Sequence, residues 1–226
     1  MRALARALFL PYWQPQIQGL EHWPAQGPVI LVANHPTLFD PFLVGAISPR
    51  PLDFLVRHEV LRIPLLGSLI GWCRPVLVQP GPSALDEARA RLAQGRAVMI
   101  FPEARQTHQL QLQPFRSGAA TLAVLSGVAV VPLGLSGPEQ LSTARGAWVR
   151  GGRIWARFGP ALQPQAGESA ESFGLRLRAA LSALLVDRPV ESPRTHLAFR
   201  LAQACWVPST WLIFKLADWL KPGNRR

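Results

Sequence analysis

Cysteine and acidic residues are both scarce in this 226-residue chain. The two cysteines, Cys73 and Cys205, lie far apart and show no metal-ligand spacing, so neither a disulfide framework nor a zinc site is suggested and a reducing compartment fits. Aspartate and glutamate together number 13 against 24 lysines and arginines, a net charge of +11. Such an excess favours polyanionic partners: nucleic acid, an anionic membrane face or a phosphorylated substrate. The arginines are scattered, with no basic stripe interleaved with aromatics, no helix-turn-helix pattern and no zinc-finger spacing, which argues against nucleic acid.

Long apolar runs are missing as well. A membrane-crossing helix needs about 20 apolar residues. The best stretch, residues 201–214, is a short uncharged run between Arg200 and Lys215, and Pro208 interrupts it. No small-residue cleavage site follows residues 1–13, so a secretory signal is not expected. Surface attachment to a membrane is expected in place of crossing. There is no internal repeat and no low-complexity tract.

What is present is enough to fold. The chain is 49% hydrophobic and only 16% charged, unlike disordered sequences. Its length suits one domain that buries roughly 70% of the unfolded surface. Apolar runs at 28–32, 52–56, 75–78, 97–101 and 128–135, bounded by glycine and proline, read as buried strands. Helical spacing lies between them at 39–47, 83–94 and 116–126, the second opened by Ser83 as N-cap and stopped by Gly95. Residues 147–158 add one or two strands with alternating arginines. Residues 168–185 form an amphipathic helix carrying Leu175, Leu177, Leu181 and Leu184. This alternation predicts an α/β layer fold.

Three segments are expected. Residues 1–14 form an amphipathic lead-in helix, 15–187 the core domain, and 188–226 a linker and helical tail, the break being marked by two prolines within 187–193. The tail carries Trp206, Trp211 and Trp219 among aliphatic residues, flanked by Arg200, Lys215, Lys221, Arg225 and Arg226. Two placements stay open: the lipid interface, where tryptophans and cations gather, or docking on the core with the tryptophans buried.

Two stretches carry chemistry. In the first, the apolar run ends in Asn34-His35, and Asp40 follows after four intervening residues. On a continuous helix residues 35 and 40 would stand about 140° apart, so His35 must sit in the loop before the helix with Asp40 reaching back to it. The carboxylate can then accept the Nδ1 hydrogen, fix the tautomer and leave Nε2 free to take a proton from a hydroxyl. In the second, the run 98–101 passes into Pro102-Glu103-Ala104-Arg105-Gln106-Thr107. Both stretches leave a strand at its carboxyl end, where open α/β sheets gather their functional groups.

The run NHPTLFD is similar to the NHxxxxD motif of the lysophosphatidic acid and glycerolipid acyltransferase family, and FPEARQT resembles its FPEGTRS block. Around them GLEHWP, residues 19–24, resembles the family's opening strand, PFRSGA, residues 114–119, its FK-x-G helix start, and Val131-Pro132-Leu133 its short VPV strand. Five blocks in order over residues 15–160 are far more specific than any one. The resemblance implies a mixed, largely parallel central sheet flanked by helices, with amphipathic helices at both ends.

It also implies transfer of an acyl group from a CoA or acyl-carrier-protein thioester to a lipid hydroxyl, with no cofactor or metal and with the thioester as co-substrate. His35 would be the general base and Asp40 its partner. Glu103, Arg105, Thr107 and Arg116 would serve the substrate. In the strand 75–78, similar to the family's GxIFIDR block, Pro80 stands where the family has its phosphate-binding arginine. Either Arg74, Arg57 or Arg105 supplies that cation, or the acceptor is not lysophosphatidate. The expected location is peripheral or monotopic, on the cytoplasmic face of an anionic membrane. Two other functions use the same residues: a non-catalytic lipid-binding relative, and a thioesterase in which water replaces the lipid hydroxyl.

Overall fold

The computed structural model describes residues 6, 10, 13–37, 39–57, 76–78, 83–103, 110–141 and 152–185. Among them lie seven strands: β1 Gln16–Gln18, β2 Val29–Ala33, β3 Leu52–Arg57, β4 Val76–Val78, β5 Ala97–Ile100, β6 Val130–Ser136 and β7 Trp155–Phe158. Helices α1 Asp40–Ile47, α2 Ser83–Ala93, α3 Gly118–Ser126, the short α4 Pro138–Leu141 and α5 Ala170–Leu184 connect or follow them.

The strands form one sheet in the order β1-β7-β6-β2-β5-β3-β4. Every pairing is parallel except β6 with β7, so the expected mixed, largely parallel sheet is what forms. β2 is VILVA with all five side chains buried, because a parallel strand covered on both faces has no side left for polar residues. Successive side chains alternate between two cores. Val29, Leu31 and Ala33 face Met99, Leu133, α1, Trp13 and Trp23, whereas Ile30 and Val32 face Val98, Val130 and helices α2, α3 and α5. Gly95, at φ 72° in the left-handed region, closes α2 as its position predicts.

Two expectations are corrected. The GLEHWP block is not a strand: Leu20–His22 form a single 3-10 turn, and the strand precedes it at Gln16–Gln18. Gly19 forces the break, since its φ of 71° is left-handed and a Cβ there would lie 2.0 Å from the Phe158 carbonyl oxygen. In α5 the buried stripe is Phe173, Leu177 and Leu181, while Leu175 is 65% exposed. Residues 173, 177 and 181 share a face at four-residue spacing, and 175 lies about 200° from 173 around the helix.

No helix among the described residues is long and apolar enough to cross a membrane. Of the lead-in segment Arg6, Leu10 and Trp13 are helical, and Trp13 is buried. The tail 188–226, with the run 201–214, lies outside the described residues.

Candidate active site

β2 runs between β5 and β6, parallel to both, so the three strands open at the same edge. Asn34 prolongs the ladder there. Its Nδ2 donates to the Leu135 carbonyl at 2.8 Å, and the Leu135 N–H donates to its Oδ1 at 2.8 Å. The side chain imitates a strand residue and carries the register one step further, delivering His35 to a fixed point.

His35 Nδ1 lies 2.9 Å from Asp40 Oδ2. The aspartate side chain is 1% exposed and the histidine 14%, so one end of the pair is sealed and the other reaches solvent. Asp40 occupies the first turn of α1, where the N-terminal backbone field favours a carboxylate. Thr37 completes its shell: the Thr37 N–H donates to Oδ2 at 2.7 Å and the hydroxyl to Oδ1 at 2.6 Å. An acceptor-only carboxylate facing Nδ1 requires the hydrogen on Nδ1, which leaves the Nε2 lone pair free. The N–H groups of this run are all spent, because that of His35 donates to Glu103 Oε1 at 3.2 Å, Pro36 has none and that of Thr37 is already committed.

The exit of β5 lies alongside. The ring of Phe101 stacks under the His35 imidazole with centroids 4.2 Å apart. The Pro102 carbonyl accepts the Arg116 N–H at 2.9 Å. Glu103 is 6% exposed, and its second oxygen accepts the Gln113 N–H at 2.9 Å. Burial pushes its carboxyl above the ordinary range, and Asp40 adds slightly to this, while the two N–H groups and His35 pull the other way.

A second carboxyl, this one half-buried, stands beyond β6. Glu139 accepts the Gly137 N–H with both oxygens at 2.9 Å, and burial raises its pKa with a smaller push from Asp40. Arg116 is exposed two residues before α3, at the rim of a cleft of ≈ 370 Å³ that includes Phe115, Ala120, Gly174 and Arg178. Arg178 reaches across to the Leu112 carbonyl at 3.3 Å.

The structure thus brings together four sequence-predicted elements: His35, Asp40, Glu103 and the backbone at Arg116. Arg74, Arg105 and Thr107 lie outside the described residues. Thr37, Phe101 and Glu139 join the site although the motifs assign them no role. Thr37 stands three residues before Asp40, within the same short run, and its contact with that carboxylate is local, whereas Phe101 and Glu139 depend on which strands become neighbours. Among the described residues no group of three or more histidine, cysteine, aspartate or glutamate side chains could hold a metal ion.

The model of the family described as Acyltransferase matches residues 14–136, and the chain belongs to that family. It is 29% identical to a chloroplastic 1-acyl-sn-glycerol-3-phosphate acyltransferase of Brassica napus over 58% of this chain and 40% of that one. It is 30% identical to a lysophospholipid acyltransferase of Homo sapiens over 71% of this chain and 32% of that one. The chain therefore spans less than half the length of these two relatives. The crystal structure of the 1-acyl-sn-glycerophosphate acyltransferase PlsC from Thermotoga maritima shares the fold, with a TM-score of 0.70 at 23% identity over 80% of this chain and 75% of that one.

Proposed function

We propose that this protein transfers a fatty acyl group from a CoA or acyl-carrier-protein thioester to a hydroxyl of a lysophospholipid or related glycerolipid. The observation that carries the reading is the His35–Asp40 pair, sealed at the carboxylate and open at the imidazole. The names of the relatives, which specify 1-acylglycerol phosphate and lysophospholipid, support that acceptor class.

In the proposed reaction Nε2 of His35 takes the proton from the acceptor hydroxyl as its oxygen attacks the thioester carbonyl carbon. The carbonyl electron pair moves onto oxygen. When the tetrahedral species collapses, the carbon–sulfur bond breaks and the departing thiolate takes the proton back from Nε2, giving ester and free thiol. Asp40, hydrogen-bonded to Nδ1, steadies the imidazolium. No acyl-enzyme forms and no cofactor or metal enters, since the thioester already carries the activation. The oxyanion draws its donors from outside residues 35–37, whose N–H groups are committed.

Arg116 is assigned to a substrate phosphate, supported by its exposure at the rim of an apolar cleft. Arg74, Arg105 and Thr107 are assigned to substrate by their motif positions. The excess of cations, +11 overall, supports a peripheral or monotopic place on an anionic membrane face, taken here as the cytoplasmic one.

The test offers one labelled acyl thioester to a panel of lysolipids and identifies products by mass spectrometry, with wild type beside His35→Ala. Ester formation with a lysophospholipid, lost in the variant, is the expected result. Free fatty acid released without any acceptor would assign a thioesterase, and equal rates for the two proteins would remove His35 from the mechanism.

A further inference from the structure

We infer that Glu103 is a positioning residue for His35 and does not recognise the acceptor. The inference rests on the acyl-transfer reading above and assigns a different task to the glutamate of the FPE run. Its two oxygens each hold a backbone N–H, His35 on one side and Gln113 on the other. These donors are 68 residues before it and 10 after it. One buried carboxylate therefore joins the exit of β2, the exit of β5 and the run into α3.

The arrangement follows from strand register. β2 and β5 pair with Val32 opposite Ile100, so three residues further on His35 lies level with Glu103. Beyond β5 the chain turns at Pro102 and Glu103, and the side chains of Phe101 and Glu103 both come to His35. Phe101 meets the imidazole ring and Glu103 meets the same residue's main chain. Pro102, between them, gives its carbonyl to the Arg116 N–H. The three residues grip the base by its ring, grip it by its backbone, and fasten the segment that brings Arg116.

A carboxylate suits this task in a way an amide cannot. Both of its oxygens only accept, and the two partners only donate. Glutamine would offer one oxygen and turn an NH₂ toward the other N–H. Aspartate would keep both oxygens but fall one methylene short.

The experiment measures kcat and acceptor KM for the full chain and its Glu103→Gln and Glu103→Asp variants, with thermal melts to establish that each folds. A displacement of about 1 Å at a reacting group costs on the order of 100-fold. Glu103→Gln is therefore expected to lose about 100-fold in kcat at unchanged acceptor KM, and Glu103→Asp to recover part of that loss. A raised acceptor KM with kcat retained would show that Glu103 touches the acceptor, and no change in either constant would show that it holds nothing; both overturn the inference. If Glu103→Gln fails to fold, the same split in Glu103→Asp decides. A second readout does not need activity: the low-field proton resonance of His35 Nδ1–H, identified by its absence in His35→Ala, should shift or broaden in the Glu103 variants. If wild type acylates no acceptor, the acyl-transfer reading fails while this resonance still decides the positioning role, and an unchanged resonance refutes it.

Discussion

The imidazole of His35 lies nearly flat on the ring of Phe101, the centroids 4.2 Å apart and the planes 22° from parallel. The contact covers one face of the base with hydrocarbon and restricts rotation about its side-chain bonds. Together with the hydrogen bond to Asp40 it leaves the imidazole one orientation, with Nε2 directed away from the buried carboxylate.

Replacing Phe101 with leucine keeps an apolar side chain and removes the flat surface. Ring pairs of this kind contribute about 0.5–1.5 kcal/mol. If that holds the base in its reactive pose, kcat falls between about two- and tenfold, with acceptor KM unchanged. Steady-state kinetics on protein of verified melting temperature reads this directly, and an unaltered kcat would mean that Asp40 alone orients the ring.

Asp40→Asn leaves one oxygen where two had accepted three hydrogen bonds, from Thr37 N, the Thr37 hydroxyl and His35 Nδ1. Loss of the oriented base lowers kcat by about 10²- to 10⁴-fold, while binding to lipid vesicles in a sedimentation assay stays as in wild type. Thr37→Val removes a single donor to Asp40. It costs about 1–3 kcal/mol of stability and a smaller part of the rate. Because both changes act on one carboxylate, the double variant should be less impaired than the product of the two single effects. Independent, multiplicative losses would separate Thr37 from the dyad.

Gly134 in β6 lies against the last turn of α5. A Cβ there would meet Leu184 Cβ at 2.6 Å and the Leu184 backbone at 2.9 Å. A backbone neighbour cannot rotate aside, so Gly134→Ala should destabilise the fold by about 1–3 kcal/mol. Denaturant melts should show it as a lower midpoint with the slope retained. A neutral result would mean that α5 can slide on the sheet.

The buried carboxyls give stability a definite dependence on pH. Burial raises the pKa of Glu103 and of Glu139 in the folded protein. Between the ordinary carboxylate value and the raised one the folded state holds protons that the unfolded chain has released, so stability falls as pH rises through that window. Glu168 works in the opposite sense: Arg176 lowers its pKa, and its contribution is lost as pH drops below the ordinary value. Glu139→Gln should flatten the fall on the rising side, measured by urea melts across mildly acidic to neutral pH. An identical slope in the variant would show that Glu139 does not titrate differently on folding.

Much of this was legible in the sequence because the governing forces are local. Continuous apolar runs such as VILVA announce strands covered on both faces, Gly95 marks the end of its helix, and the four residues between His35 and Asp40 exclude a shared helical face. β1 was not legible, because Gln-Ile-Gln with all three side chains exposed carries no burial pattern. The outward turn of Leu175 was hidden by the presence of Phe173, which starts a better stripe two residues earlier. The duties of Phe101 and Glu103 depend on β2 and β5 becoming neighbours, and nothing within either segment states that pairing.

The sheet's edge imposes an order of assembly on a chain made from its amino end. Among the described residues β1, Gln16–Gln18, has β7, Trp155–Phe158, as its one strand neighbour, so it cannot pair until most of the domain has been synthesised. The pair His35–Asp40 spans only five positions of the chain. Glu103 can clasp it only after β5 has emerged, and Asn34 meets Leu135 later still. Among the described strands β1 is thus the earliest in the chain, and its partner is the latest.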